Sequence, residues 1–383
     1  MSRLLVPALV TALAVGTVLG AAAPSASDDV SRVARAGQWQ LGALRLPQAW
    51  RTSKGAGVVV AVLDTGVNAR HPDLAGAVIQ GPDLTGVDAS PHRWGRHGTA
   101  MASLIAGRGH GDEQEGGVLG VAPRAKVLSV RVTLDNGDPQ RVKLRSGGRN
   151  ALARGIRYAA DHGAGVISMS LGGGSGAWEG SAPEEEAVQY AISRGAVLVA
   201  SSGNDGASAN RKNFPAAYPG VIAVGAVNRR LTVAGFSNRQ DYVSVVAPGT
   251  EIVTADERGS YVIGDGTSSA AALVAGVAAL VRSAYPSLSP YHVRQAIELG
   301  TRKRPADGHS PAYGHGVVDA ARTLRAAARL DVPPSGAAAP ERYSCQASPS
   351  SRGPVVAGMV VLVAAMSARV LVTQRRRRRR GVT

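Results

Sequence analysis

Runs of apolar, β-branched residues recur along the middle of this chain and alternate with stretches of helical periodicity. The first run, 57–64 (GVVVAVLD), has no polar residue before its final aspartate, as in a strand buried on both faces. Similar runs occur at 125–132, 165–170, 196–200, 221–227 and 243–246, and helical stretches at 99–107, 150–162, 184–194, 268–285 and 290–299. This alternation predicts an α/β fold of three layers, with a mostly parallel sheet covered by helices on both faces.

The chain of 383 residues is long enough for a large core, and its 48 glycines and 4% aromatic residues predict tight turns and a core of Val, Ala and Leu. We expect the folded unit at 51–330, after a lead-in at 27–50 and before a Pro/Ala/Ser-rich linker at 331–353. The single cysteine, Cys345, lies in that linker, so stability has to come from the core without an intramolecular disulfide.

The N-terminus has the pattern of a secretory signal peptide, which we place at 1–26. Arg3 is followed by an apolar stretch at 4–19 and by the small residues at 20–23. The alternative interpretation is a buried apolar helix.

The C-terminus has the pattern of a membrane anchor. Residues 354–373 are apolar except for Arg369, and about 20 such residues suffice for one helix to cross a bilayer. The arginine-rich tail at 374–383 should stay in the cytoplasm, which leaves the folded domain outside the cell membrane on a single-pass anchor. Because Arg369 interrupts the segment, a hydrophobic helix packed on the domain is the alternative.

The formal net charge of +16 raises the question of nucleic acid as a partner. Much of this charge lies in the arginine run at 375–380, and the sequence has no recognisable nucleic-acid module and few aromatic residues for base stacking. The sequence therefore predicts no nucleic-acid partner.

Three short motifs carry residues of catalytic chemistry. Asp64 ends the first strand run in VLDTG, His97 opens a helical stretch in RHGTAMASLIAG, and Ser268 stands where GDGTSS passes into a helix. Taken singly, each has a structural interpretation: a turn residue, a satisfied histidine among eight, and a helix N-cap. Functional groups in α/β sheets collect where strands end and helices begin, so the three side chains are expected to lie together.

Together the three residues indicate one kind of chemistry, nucleophilic catalysis by a serine. A serine hydroxyl attacks an amide only with the help of a base, and that base needs a carboxylate to hold its tautomer. The helix that starts at Ser268 would add backbone donors and a positive dipole end beside the nucleophile. The sequence predicts a serine peptidase that works through an acyl-enzyme.

In these motifs the chain resembles the subtilisin family over about residues 51–330. The likeness rests on DTG with the following HPDL, on HGT, and on GTS with the following VAG, supported by LGVAP at 119–123 and VAPG at 246–249. Their chain order, Asp then His then Ser, is that of subtilisin. The resemblance implies a subtilisin-like fold and a serine endopeptidase of polypeptide substrates, with no cofactor and no metal in the reaction.

The resemblance also assigns roles to matching positions. Asn204 in SSGND corresponds to the asparagine that donates to the oxyanion, with a simple β-turn as the alternative interpretation. Residues that resemble the family's substrate-binding segments are Ser170, Leu171, Gly172, Gly173, Ser201, Ser202 and Gly203. By this resemblance the segment at 170–173 pairs with substrate backbone, and the small, uncharged wall at 200–203 favours an uncharged side chain in the main specificity pocket.

A narrower likeness is to the mycosins, membrane-anchored proteases associated with type VII secretion. It rests on the tryptophans of the lead-in, the absence of room for a full pro-domain, and the C-terminal anchor. It implies the cell membrane and type VII secretion components as partners. The alternative is a scaffold that stabilises a secretion complex, with proteolysis secondary.

Two positions depart from the subtilisin pattern. Ala272 stands where the family usually has proline in the helix of the nucleophile, and Ser103 stands where glycine is common.

Asp-Thr-Gly also marks aspartic proteases, but those need two such aspartates and this chain has one. That route would require a dimer and a different fold.

Overall fold

The computed structural model describes residues 26–87, 95–111, 115–141, 150–172 and 180–331. The predicted signal peptide, except for its last residue, lies outside the described residues. So do the linker beyond Asp331, the predicted span at 354–373 with its basic tail, and Gly173. The chain divides at 335/336 into two units, and every described residue belongs to the first.

The strands of the described residues include a seven-stranded parallel sheet. In chain order they are β1 Val59–Asp64, β2 Val78–Asp83, β3 Arg108–His110, β4 Gly116–Leu119, β5 Lys126–Arg131, β6 Val166–Met169, β7 Val197–Ser201, β8 Ile222–Val227, β9 Val243–Pro248, β10 Ile252–Ala255 and β11 Tyr261–Gly264. The sheet has the order β2-β5-β1-β6-β7-β8-β9, and β3 with β4 and β10 with β11 form two antiparallel pairs.

Helices cover both faces of this sheet. They are α1 Ala26–Ala36, α2 Trp39–Ala43, α3 Leu46–Ala49, α4 Arg96–Ala106, α5 Ala151–Asp161, α6 Ala182–Ser193, α7 Thr267–Ala284, α8 Pro290–Leu299 and α9 Ala320–Leu330. Side chains alternate across β1, so Val60 and Val62 join the core beneath α4 and α7, whereas Ala61 and Leu63 join the core beneath α5 and α6. The predicted three-layer α/β fold is confirmed.

Helix α7 runs through the centre of the larger core. Among the described residues it is the one helix long and apolar enough to cross a membrane, but 78% of it is buried inside the fold. An apolar helix that is mostly buried in this way fits a core helix of the fold.

The lead-in is built into the fold. The side chain of Gln38 pairs with the backbone of Leu119 in β4, donating to its carbonyl at 3.0 Å and accepting from its N–H at 2.9 Å. Leu44 and Leu46 are completely buried in the main core. The core therefore includes residues before 51, which the sequence analysis placed in a separate segment, because only long-range partners show where a short helix packs.

Ser103, where the family pattern has glycine, has a structural role in this chain. It is fully buried in α4, and its hydroxyl donates to the Ala100 carbonyl at 2.7 Å and accepts from the Ala255 N–H at 3.1 Å. The hydroxyl thus connects α4 to the end of β10, a contact that glycine could not make.

We expect Ser103→Ala to lower the free energy of unfolding by about 1–3 kcal/mol, because the buried N–H of Ala255 would lose its acceptor. Urea denaturation measures the change. The matched control is Ser193→Ala, since Ser193 makes the same intrahelical bond at 2.7 Å but is exposed. Equal effects of the two substitutions would contradict the role given to the Ala255 contact.

Candidate active site

Asp64 is the last residue of β1, at the carboxyl edge of the parallel sheet. Its carboxylate is buried and accepts hydrogen bonds from the Thr65 N–H at 2.7 Å and from His97 Nδ1, which lies 2.8 and 2.9 Å from the two oxygens. A buried carboxylate in this position sets the tautomer of the imidazole, with the proton on Nδ1 and the lone pair on Nε2.

His97 is the second residue of α4, and close packing brings this helix against the Asp-Thr-Gly turn. The Gly98 N–H donates to the Thr65 hydroxyl at 3.0 Å. A Cβ atom on Gly98 would lie 2.1 Å from the Gly66 carbonyl oxygen, so only glycine permits this approach. The DTG and HGT motifs therefore pack directly against each other.

Asp135 also holds the start of α4, and sequence reasoning missed it. Its two carboxylate oxygens accept from the backbone N–H groups of Arg96 and His97, each at 3.0 Å. A carboxylate at this position accepts from N–H groups that have no partner within the helix. Its negative charge also interacts favourably with the positive end of the helix dipole. Asp135 precedes Asn-Gly in a turn signal, but nothing in that signal indicates which helix it would cap.

The charges around His97 favour its protonated form. Burial of the imidazole lowers its pKa, but the charge and hydrogen bond of Asp64 and the charge of Asp135 raise it and together outweigh burial. Arg141 acts in the opposite direction. The net result is a pKa of His97 above its ordinary value.

Ser268 is the second residue of α7 and is partly exposed. Its Oγ donates to the Ser170 carbonyl at 3.4 Å, and the Ser170 hydroxyl donates to the Ser268 carbonyl at 3.0 Å. These reciprocal contacts join the start of α7 to the residue that follows β6.

Ala272, where the family usually has proline, lies beyond the first turn of α7. It is the sixth residue of the helix and completely buried, past the first turn in which a missing N–H has no cost. At this position alanine keeps the regular helical geometry, so the departure from the family pattern requires no rearrangement around Ser268.

Asn204 lies beside the start of α7, and Thr267 determines the orientation of its amide. The Asn204 Oδ1 accepts from the Thr267 N–H at 2.9 Å and from the Thr267 hydroxyl at 2.8 Å. Both bonds require an acceptor, so the Asn204 Nδ2 amino group is the end of the side chain that remains as a donor among the described residues. Sequence reasoning did not identify Thr267 in this role.

Asn238 holds the turn that carries Asn204. It is completely buried, its Oδ1 accepts from the Asp205 N–H at 2.8 Å, and its Nδ2 donates to the Arg211 carbonyl at 2.8 Å. Gly203 has a φ of +110°, and a Cβ atom there would lie 2.5 Å from Asn238 Nδ2. The turn therefore needs both a glycine and this asparagine.

The segments predicted to bind substrate lie side by side. Ser170, Leu171 and Gly172 line the cleft, whereas Ser201 and Ser202 are buried behind them at the end of β7. Asn213 joins the two segments, since its Nδ2 donates to the carbonyl oxygens of Ser201 at 2.8 Å and Leu171 at 3.4 Å.

One cleft of about 730 Å³ gathers these groups. Asp64, His97, Ser268 and Asn204 all line it. Among the described residues, none of the lead-in at 27–50 is part of its lining. In the parts of the chain described, no group of three or more His, Cys, Asp or Glu side chains is placed to hold a metal ion.

The profile of the subtilase family, peptidase S8, matches residues 55–316 and so covers more than half of the chain. The chain belongs to the subtilase family. Thermitase from Thermoactinomyces vulgaris is 41% identical to it over 255 residues, which are 67% of this chain and 85% of thermitase. Subtilisin DY from Bacillus licheniformis is 36% identical over 70% of this chain and 90% of its own length. This subtilase is a serine endopeptidase.

Solved structures of mycosins share the fold. The MycP1 protease from Mycobacterium smegmatis has a TM-score of 0.64 and 29% identity, over 80% of this chain and 88% of the other. The MycP3 protease of the type VII (ESX-3) secretion system has a TM-score of 0.61 and 30% identity, over 75% of this chain and 88% of the other. MycP1 is an essential component of the type VII (ESX-1) secretion system.

Proposed function

We propose that this subtilase cleaves peptide bonds with Asp64, His97 and Ser268 as its catalytic triad and Asn204 as oxyanion donor. The observation that carries the proposal is the pair of contacts from the buried Asp64 carboxylate to His97 Nδ1, in a cleft that Ser268 also lines. Family membership supports the assignment, because the three residues stand in the family's motifs.

The first chemical step follows from the tautomer of His97. With Nδ1–H donated to Asp64, Nε2 is the base, and Ser268 Oγ turns from the Ser170 carbonyl toward it. As Oγ attacks the scissile carbonyl carbon, its proton passes to Nε2. The positive charge that develops on the imidazole is stabilised by Asp64.

The oxyanion of the tetrahedral intermediate would be bound by the Asn204 amino group and the Ser268 N–H at the positive end of α7. His97 then gives its proton to the leaving amine, and water hydrolyses the acyl-enzyme by the same route in reverse. Substrate backbone pairs with the segment at Ser170–Gly173, and the residues at Ser201–Gly203 support the specificity pocket. Gly173 belongs to this segment by sequence alone.

This mechanism predicts that kcat/KM rises with pH through the raised pKa of His97 and levels off above it, because only the neutral imidazole accepts the serine proton. Asp135→Asn removes a negative charge that raises this pKa but keeps an oxygen for the helix N–H groups. We therefore expect the rising limb to move to lower pH.

The measurement is the pH profile of peptide hydrolysis by the parent enzyme and by its Asp135→Asn variant. The matched control is Asp138→Asn, in the same loop, whose carboxylate accepts from the Gln140 N–H instead of from α4. A limb that stays in place in Asp135→Asn, or moves equally in both variants, would contradict the role of Asp135.

We further infer that the enzyme is exported and tethered to the outer face of a cell membrane. Support comes from the sequence patterns of the signal peptide at 1–26 and the span at 354–373, and from the likeness to mycosins. The linker at 331–353 would then confine the enzyme to a shallow shell, since about 20 flexible residues typically reach roughly 25 Å. The full chain should resist carbonate extraction, and its recovery in the soluble fraction would contradict the anchor.

Such confinement suits substrates that emerge from a nearby pore, and we infer that the partners are clients of a type VII apparatus. Two strains test this: deletion of the chain and the Ser268→Ala point mutant. If catalysis is the role, both leave client proteins uncleaved. If the protein is a scaffold, deletion stops secretion and Ser268→Ala preserves it. Unchanged secretion and unchanged cleavage in both strains would overturn the association.

A further inference from the structure

A second pocket lies at the opposite edge of the sheet from the catalytic cleft. It has a volume of about 610 Å³ and is lined by the cations Arg35, Lys54, Arg108 and Arg124 and by the Trp50 ring. No carboxylate is among the described residues that line it. We call this site the basic pocket.

The walls of the basic pocket are fastened to each other. The Trp50 indole N–H donates to the Val121 carbonyl at 2.8 Å, and the Arg124 N–H donates to the Lys54 carbonyl at 2.9 Å. Arg35 donates from Nε and Nη2 to the carbonyls of Gly117 and Gly116, each at 2.8 Å. Hydrogen bonds thus hold the pocket in shape, and segments from the lead-in and from both ends of β4 meet in it.

The cations of this pocket are incompletely satisfied by the described residues. Arg108 makes one long bond, from Nη1 to the Ala75 carbonyl at 3.3 Å, and its buried Nε has no partner among them. Two of the five N–H groups of Arg35 are used in its backbone bonds. Asp73 lies close enough to act electrostatically on Arg35, but Lys54 and Arg124 are exposed. Donors therefore remain for an anionic ligand.

The position of the pocket points to the kind of anion. Lys54 precedes β1 and Arg124 precedes β5, so the pocket lies at the amino edge of the sheet. Ser283, near the end of α7, donates to the carbonyl of Ala56 in the pocket lining at 2.7 Å. Ser268 stands at the other end of this helix, and an 18-residue helix is about 27 Å long.

The chain leaves the described domain on the same side. Asp331, the last described residue, accepts a hydrogen bond from Ser287, which follows α7. If the linker after Asp331 leads to a membrane, it leaves the domain at the end that carries the basic pocket, opposite the catalytic cleft.

We propose that the basic pocket binds the phosphate of an anionic phospholipid headgroup and so orients the tethered enzyme with its cleft away from the bilayer. This proposal rests on the membrane tether of the proposed function. Arginine forks match phosphate oxygens, and the pocket has room for a headgroup beyond its phosphate. Clusters of Lys and Arg side chains next to a membrane bind anionic lipid headgroups.

The test uses the full chain in nanodiscs of phosphatidylglycerol or of phosphatidylcholine alone, with acetylation of lysines followed by mass spectrometry. We expect the lipid phosphate to slow acetylation of Lys54 by about fivefold in phosphatidylglycerol, the factor that one cation contributes near an anionic surface. Exposed Lys212, outside the pocket lining, should react equally in both discs.

Arg124→Gln should remove most of the protection of Lys54, whereas Arg304→Gln, the same loss of charge at another exposed position, should leave it intact. Protection in phosphatidylcholine discs by excess inorganic phosphate would overturn a lipid ligand in favour of a free anion. Protection by an oligoglutamate peptide, without protection by phosphatidylglycerol, would replace it with an acidic protein segment.

Failure of this proposal is distinguishable from failure of the proposed function. Equal labelling of Lys54 in both discs, in a chain that resists carbonate extraction, overturns the lipid site alone. Release of the chain by carbonate overturns the tether and with it the reason for a lipid ligand. Labelling of Ser268 by a fluorophosphonate probe reports on catalysis independently of both.

Discussion

Ser268→Ala is expected to lower kcat for peptide hydrolysis by about a millionfold, and His97→Ala by a similar factor, the size known for subtilisin itself. The reason is that the hydroxyl, the imidazole and the Asp64 carboxylate act as one unit, so losing either the nucleophile or the base removes the acyl-enzyme route. The double variant should therefore be hardly slower than either single variant. Steady-state hydrolysis of a fluorogenic peptide measures all three.

Folding must be separated from chemistry in this experiment. Ser268 is partly exposed and its hydroxyl makes one long hydrogen bond, so the alanine variant should keep the thermal stability of the parent. Ser208→Ala, at an exposed serine whose hydroxyl donates to the Asp205 carbonyl in its own turn, should keep full activity. Substantial hydrolysis by folded Ser268→Ala protein would reject the proposed triad.

Asn204→Ala should lower kcat by about a hundred- to a thousandfold with little change in KM, again the range known from the corresponding asparagine of subtilisin. The amino group would bind the oxyanion only as negative charge develops, so its loss raises the barrier without weakening ground-state binding. Single-turnover measurements on an ester and an amide substrate would place the loss in the acylation step.

A substitution at Thr267 tests whether the orientation of the Asn204 amide matters. Both its N–H and its hydroxyl donate to Asn204 Oδ1, so Thr267→Val removes one of the two bonds that orient the amide and keeps the side-chain shape. We expect a smaller loss of kcat than for Asn204→Ala, and no further loss when both changes are combined. Fully additive losses would show that Thr267 acts on the substrate directly and would contradict its role as a positioning residue.

The fold could be predicted from sequence where local pattern decides. The β-branched runs of β1, β5, β6, β7, β8 and β9 were recognised, with ends that differ from the structure by up to two residues. Strand β2 was missed because it lies at the edge of the sheet and contains Gly81 and Pro82, so it lacks the continuous apolar run of a buried strand. The core helix α7 was recognised because small and apolar residues fill its whole length.

The sequence by itself determined the family, the three-layer fold and the residues of the three motifs. These depend on short-range patterns, because a DTG turn or a helix start at GTSS is specified by neighbours along the chain. The proposed triad residues Asp64, His97 and Ser268 stand in such motifs, whereas the proposed role of Asn204 rests on the resemblance to the subtilisin family.

Only the tertiary structure decided which residues hold those groups in place. Asp135 caps the helix of His97 from 38 residues away, and Asn238 supports the turn of Asn204 from beneath. The basic pocket likewise assembles Arg35 and Arg124 from distant segments. A hydrogen bond or a cluster of charges depends on distance and direction in space, and those are fixed only when the sheet and helices pack against one another.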